Sequence, residues 1–85
     1  MTHDVYCTYA GYPSDMIDRA LETKAEALDC SEFLGAGYGG CERDLQFRFE
    51  EYDAARDFIS LCRKDARLDQ VTYSIKTKRG EEDDG

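Results

Sequence analysis

The chain has 85 residues, of which 41% are hydrophobic and 12% aromatic, and its formal charge is −8 at pH 7. This length and composition indicate one small globular domain and exclude a disordered chain. The acidity argues against nucleic-acid binding through a general electrostatic field, because phosphate contacts require Lys and Arg, and it favours a protein partner with a basic surface.

The first elements follow from the pattern of apolar and turn-forming residues. Residues 4–9, DVYCTY, are rich in β-forming residues and predict a first strand. Residues 11–13, GYP, end this strand, and Ser14 is a suitable N-cap with Asp15 in the first helical turn. Apolar residues then recur at helical spacing, which predicts an amphipathic helix over residues 15–29.

A short second strand is expected over residues 30–34, and the glycine-rich stretch GAGYGG follows at 35–40. Three of its glycines match G-x-G-x-x-G, the pattern that binds a dinucleotide pyrophosphate when a helix follows. Here RDLQFRFE, residues 43–50, follows instead, and its apolar residues alternate with a period of two. The stretch therefore predicts a glycine-rich hairpin between two strands, and we expect no cofactor.

The C-terminal half completes the pattern. Residues 51–65 predict a second helix with acids at its start and bases at its end, and residues 70–78 predict a last strand. A single domain is thus expected over residues 1–79. The sequence from residue 80 to 85, GEEDDG, has no apolar residue and is expected to form a disordered acidic tail.

The predicted order, βαββαβ, is similar to that of the ferredoxin-like, split βαβ fold. This resemblance covers nearly the whole chain. It implies an α+β sandwich, a four-stranded antiparallel sheet with both helices on one face and the first and third strands in the centre. Ferredoxin-like domains bind RNA, metals, amino acids or other proteins, or simply dimerise, so the fold alone decides no function.

The residues that usually carry chemistry are sparse. The single histidine, His3, lies near the N-terminus, where we expect the chain to be frayed. The four cysteines are widely spaced and form no C-x-x-C pair: Cys7, Cys30, Cys41 and Cys62. We therefore expect no metal site and no Cys–His nucleophile. The other acids are scattered on positions that face solvent, which favours a protein that is not an enzyme.

The location is predicted from what the sequence lacks. No apolar run approaches the ~20 residues that span a bilayer, so no membrane association is expected. The N-terminal residues lack the basic start and apolar stretch of a secretory signal. The cysteines are accordingly expected to be reduced thiols in a cytoplasmic protein, although their even number permits two disulfides.

The most unusual feature is a row of acids on the first predicted helix. Spaced by 3, 4, 4 and 3 residues, they are Asp15, Asp18, Glu22, Glu26 and Asp29. This spacing aligns them on one face, with neighbouring carboxylates ~5–6 Å apart. That separation is close to phosphate spacing, so a basic channel that holds nucleic acid would also accept the row. The alternative is a solvated face that keeps the protein soluble.

These observations favour a small inhibitor or adaptor that mimics nucleic acid and presents its acidic helix to a basic site on a nucleic-acid-handling protein. The chain is similar in size and charge to phage-encoded inhibitors of host defence nucleases, anti-CRISPR proteins among them; the similarity is one of composition, with no motif behind it. Tyr38, at the tip of the predicted hairpin, either anchors a partner or folds back over the core.

Two other functions remain open. The face of the sheet away from the helices is predicted to carry Tyr6, Gln46, Arg48 and Lys76, which suits a small-ligand-binding regulatory module or a homodimer formed through the sheet. An RNA-binding domain is the weaker alternative. Its base-stacking aromatics would lie on the third strand, but Phe47 and Phe49 share a face with Leu45, as core residues do.

Overall fold

The computed structural model describes residues 1–78. Its elements follow the predicted order: β1 (Thr2–Ala10), α1 (Asp15–Ala27), β2 (Glu32–Gly39), β3 (Glu42–Phe49), α2 (Tyr52–Arg63) and β4 (Thr72–Lys78). A short 3-10 helix, Ala66–Leu68, precedes β4. The acidic tail predicted over residues 80–85 lies outside the described residues.

The four strands form one antiparallel sheet in the order β2-β3-β1-β4. β1 and β3 are therefore the central strands, as right-handed crossovers predict. Val5 of β1 lies opposite Phe47 of β3 on one side and Ile75 of β4 on the other. The predicted α+β, ferredoxin-like fold is confirmed.

The core lies between the sheet and the two helices. The alternating pattern of β3 buries its apolar side chains almost completely, and Phe58 of α2 packs between two of them. Its ring centroid lies 5.4 Å from that of Phe47 and 5.3 Å from that of Phe49. Leu21 of α1 and Val5 of β1 are also fully buried in this cluster. Burial of these large side chains supplies most of the driving force for folding.

The N-terminus is ordered, contrary to the expectation for His3. β1 begins at Thr2 and pairs with both β3 and β4 from its first residues. His3 is buried, its Nδ1 lies 2.9 Å from Thr77 Oγ1, and its ring packs edge-on against Tyr52 at 5.4 Å. The prediction of a frayed end was wrong because a central strand is held by neighbours on both sides.

The hairpin predicted in the glycine-rich stretch is present, but its extent differs. β2 runs to Gly39, so most of the stretch is strand, and the turn consists of Gly40 and Cys41. Their φ angles, 59° and 65°, are both positive, as a two-residue type I′ turn requires. Glycine is disfavoured in isolated strands, but pairing with the strongly apolar β3 overrides that preference.

The packing predicts a large difference between two positions on α2. Phe58→Ala should lower the free energy of unfolding by about 3–5 kcal/mol, because it opens a cavity between two phenylalanine rings. Leu61→Ala, on the exposed side of the same helix, should cost less than about 1 kcal/mol. Urea unfolding followed by circular dichroism measures both, and equal costs would contradict this description of the core.

Candidate protein-binding surface

Helix α1 is fixed to the sheet by one polar cluster at its N-terminal end. The Tyr9 hydroxyl donates to Asp18 Oδ1 at 2.7 Å, and Arg43 Nη2 donates to Asp18 Oδ2 at 2.6 Å. The Tyr9 oxygen in turn accepts the Ser14 N–H at 2.8 Å. Asp18 is only 8% exposed, so the prediction that it lies on an exposed row is wrong. It acts as an internal ion-pair partner that joins α1 to β1 and β3.

Helical geometry explains why Asp18 is buried while its neighbours in the row are not. Successive residues of an α-helix are rotated by about 100°, which places Glu22, Asp15 and Glu26 about 40°, 60° and 80° from Asp18 on the same side. Buried Leu21 lies about 60° away on the opposite side. Asp18 is thus at the border of the buried face, and the other three acids form an exposed stripe.

We call the exposed members of the row the acidic flank: Asp15, Glu22, Glu26 and Asp29. Asp29 follows the helix in a left-handed conformation, with a φ of 59°. Within residues 1–78, the acids that form ion pairs are Asp4, Asp18, Glu32 and Asp65. Among the described residues, the acidic flank therefore has no cationic partner and presents its charge to solvent.

The acidic flank borders the edge strand β2. Arg43, which holds Asp18, lies opposite Tyr38 in the ladder between β2 and β3. At the other end of the flank, the chain passes directly from the helix to β2: the Cys30 N–H donates to the Ala25 carbonyl at 3.0 Å, and the Ser31 N–H donates to the Arg48 carbonyl of β3 at 2.8 Å. The Asp18–Arg43 ion pair and this short connection thus place the two ends of the flank near the two ends of β2.

The helix-facing side of β2 is only partly covered. Phe33 stacks on buried Phe47 with ring centroids 5.0 Å apart, yet it remains 46% exposed. Tyr38 stacks on Tyr12 at 5.8 Å, and these two tyrosines are 44% and 83% exposed. Tyr38 therefore does not join the core. We call Tyr12 and Tyr38 the aromatic pair; it lies beside the N-terminal end of the acidic flank.

The opposite face of the sheet carries a polar network around a buried carboxylate. Asp4 is fully buried and accepts hydrogen bonds from Arg48 Nε at 2.8 Å and Gln46 Nε2 at 2.9 Å, with Lys78 Nζ at 3.5 Å. Burial acts to raise the pKa of Asp4, but the hydrogen bonds and positive charges outweigh it and hold the pKa below its usual value. The sequence pattern did not indicate this role of Asp4, because Arg48 and Lys78 lie far from it along the chain.

The residues proposed for the open sheet face are brought together by this network. Gln46 Nε2 also donates to the Tyr6 hydroxyl at 3.0 Å, and the Lys76 ammonium lies 5.4 Å from the centre of the Tyr6 ring. A shallow groove of about 450 Å³ lies beside them, and its lining includes Tyr6, Gln46, Gly35 and Gly37. Asp4 neutralises part of the positive charge there, since it pairs with Arg48 and Lys78.

Two of the four cysteines lie in the core, where the thiolate form is disfavoured. All four are free, and Cys7 and Cys62 are buried in the core. Burial raises the pKa of the Cys62 thiol to about 11 and that of Cys7 still higher, which leaves both protonated and unreactive at neutral pH. Within residues 1–78, no three His, Cys, Asp or Glu side chains group closely enough to hold a metal ion. Neither helix of this described part has the length and hydropathy needed to cross a membrane.

Comparison with known proteins supports the fold but does not indicate a function. No protein-family model matches the chain, and no curated protein matches it significantly. Among solved structures, it is similar to a candidate PII-like signalling protein from Thermus thermophilus, with 12% identity, a TM-score of 0.64 and coverage of 96% of this chain and 95% of that one. It is also similar to the de novo designed protein Foldit4, with 13% identity, a TM-score of 0.61 and coverage of 92% and 97%.

The network around Asp4 predicts a specific dependence of stability on pH. Because the pKa of Asp4 is lower in the folded protein than its ordinary 3.8, its ionised form stabilises the fold above that pH, and this contribution is lost as the pH falls through the folded pKa. Asp4→Asn should lower the free energy of unfolding by about 1–3 kcal/mol at pH 7. The difference in this free energy between the variant and the wild type should shrink towards pH 2. Urea unfolding at both pH values tests this.

Asp44→Asn is the matched control, since Asp44 is an exposed acid on the same face of the sheet. It should change stability little at either pH. A cost for Asp4→Asn that stays constant between the two pH values would show that its charge does not stabilise the fold.

Proposed function

We propose that this is a non-catalytic cytoplasmic protein whose acidic flank binds a basic site on a nucleic-acid-handling protein and competes there with nucleic acid. The observation that carries the proposal is the exposed stripe of Asp15, Glu22 and Glu26, continued by Asp29, without an ion-pair partner among the described residues. Asp18, the remaining member of the row, is instead used in folding, since it pairs with Arg43.

The spacing of the flank suits a site built for phosphates. Neighbouring acids one helical turn apart lie about 5–6 Å from each other, so a row of Lys and Arg that tracks a nucleic-acid backbone meets a comparable row of negative charge. Burial of Asp18 interrupts this row, because it leaves two helical turns, about 10 Å, between Asp15 and Glu22. Within α1, the close spacing therefore remains between Glu22 and Glu26. An inhibitor or adaptor of this kind corresponds in size and charge to phage-encoded anti-defence proteins, including anti-CRISPR proteins.

The acidic flank and the aromatic pair would contribute differently to binding. Complementary charge mainly increases the rate of encounter and orients the partner, and its effect weakens with added salt. Tyrosines supply apolar area with few rotatable bonds and are frequent anchors in interfaces. Tyr12 and Tyr38 lie next to the start of the flank, so one partner would contact both features.

The open sheet face supports a second candidate, a small-ligand-binding regulatory module or a homodimer. The observation that favours it is the group of three cations, Arg48, Lys76 and Lys78, beside buried Asp4 on the face of the sheet without helices, near a groove of about 450 Å³. This candidate predicts a dimer that depends on concentration, or a thermal shift with small anions. Both effects would be insensitive to charge changes on α1.

Charge reversal on the acidic flank tests the lead proposal. The double variant Glu22→Lys/Glu26→Lys should fold normally, because both side chains are exposed and lysine is a good helix former. It should lose a nucleic-acid-binding protein that the wild type retains from bacterial lysate, as identified by mass spectrometry, and the purified complex should dissociate with added salt and with competing nucleic acid.

The matched control is Asp57→Lys/Asp69→Lys, which reverses two exposed acids elsewhere and also changes the formal charge from −8 to −4. It should retain the partner. If both double variants retain the partner equally, the acidic flank is only a solvated face. If both lose it equally, binding depends only on the net charge of the protein.

A further inference from the structure

The two edges of the sheet differ in their protection against further pairing. β4 carries Lys76 and Lys78, and such edge lysines discourage the addition of another strand. β2 has no charged residue and no proline in residues 33–39, FLGAGYG. A β-bulge between Phe33 and Gly35 disturbs one end, but the ladder is regular from Gly35 to Gly39. β2 is therefore the edge strand that can pair with a further strand.

The hydrogen-bond pattern of β3 shows which backbone groups of β2 face outward. The Arg48 carbonyl accepts the Ser31 N–H at 2.8 Å, so Arg48 directs its backbone groups towards the β2 side. The N–H and C=O groups of successive residues in a strand point alternately to its two neighbouring strands. This alternation is unbroken in β3, because β3 pairs with β1 without a bulge over its whole length. Gln46 and Asp44 consequently also bond to β2.

The partners of these residues follow from the register. Gly35 lies opposite Gln46 and Gly37 opposite Asp44, so the glycines use their N–H and C=O groups inside the sheet. Ala36 and Tyr38 then direct theirs towards the free edge. A side chain at Gly35 or Gly37 would meet nothing within 4 Å, so the face of β2 is open at these two positions.

We propose that β2 accepts an extended Lys- and Arg-rich segment of the partner, which adds as a fifth strand and places its basic side chains against the acidic flank. This inference rests on the proposed function and specifies how its partner binds. A strand added at about 4.8 Å from β2 would direct every second side chain to the helix side of the sheet. Those side chains would face Glu22 and Glu26, as well as exposed Phe33 and Tyr38.

Charge selects this occupant over a second copy of the chain. Antiparallel pairing of β2 with β2 of another copy would place both α1 helices on the same face of the joined sheet, with their acidic flanks towards the seam. Like charges brought together in this way oppose the pairing. A basic segment would instead be attracted, since the flank has no cationic partner among the described residues, and the outward backbone groups of Ala36 and Tyr38 are directed away from β3 and towards solvent.

The test uses two synthetic peptides of alternating Lys and Thr with the same sequence and charge. One contains only L-residues, and the other alternates L- and D-residues, so it cannot form a regular strand. Exchange of each backbone amide with water is measured by NMR on the full chain. At a concentration about ten times its Kd, the all-L peptide should slow exchange of the Ala36 and Tyr38 amides about tenfold. The Gly35 and Gly37 amides should change much less.

The mixed L/D peptide is the matched control and should leave the Ala36 and Tyr38 amides unprotected. The Glu22→Lys/Glu26→Lys variant should lose the protection given by the all-L peptide, which would support the role of the flank. If both peptides bind through the flank but neither protects Ala36 and Tyr38, strand addition is overturned while the proposed function stands.

Two other results would also overturn strand addition. One is the absence of binding by the all-L peptide at low salt, in which case the lysate experiment still tests the proposed function independently. The other is protection of Ala36 and Tyr38 in the free protein that increases with protein concentration, together with sedimentation as a dimer. That result would show that β2 pairs with β2 of a second copy of the chain.

Discussion

The contact of Asp18 with Tyr9 and Arg43 determines how α1 is rotated against the sheet, and the character of the surface follows from that rotation. Asp18 accepts from both partners at 2.6–2.7 Å. Such a charge-assisted pair between a helix and two central strands permits little rolling of the helix. Because Asp18 is turned inward, Glu22 and Glu26 are turned outward beside β2. An ordinary packing contact thus orients the acids proposed to bind a partner.

The two faces of the sheet are covered in different ways. On one face, the helices cover Phe47, Phe49 and the other apolar side chains. On the other face, Arg48 and Gln46 cover the carboxylate of Asp4. A buried charge is tolerated only when it is well paired, and here it is paired. The side of the sheet without helices is thus closed by polar side chains of the sheet itself.

The sequence predicted the parts of the structure that depend on periodicity. Alternation in β3 located its buried residues, and helical spacing located both helices, so the order and topology followed. The errors have a common physical source, since each concerns a residue whose tertiary contacts override its local preference. Asp18 and Asp4 can be buried because each pairs with an arginine of β3, which is far from them in sequence but close in space. His3 is near the terminus but lies in a central strand, and Gly37 lies in a strand because β3 pairs with it.

The acidic helix and the glycine-rich stretch form one surface because of the topology. The glycine-rich stretch and the acidic helix belong to consecutive elements, and the crossover from β1 through α1 ends on β2, an edge strand. A right-handed crossover of this kind returns the helix across the sheet to the strand that follows it. The side of α1 towards that strand must then lie beside the edge. A partner that pairs with the edge at Ala36 and Tyr38 would therefore also meet the acids on this side of α1, which is why charge and strand addition are expected to act together.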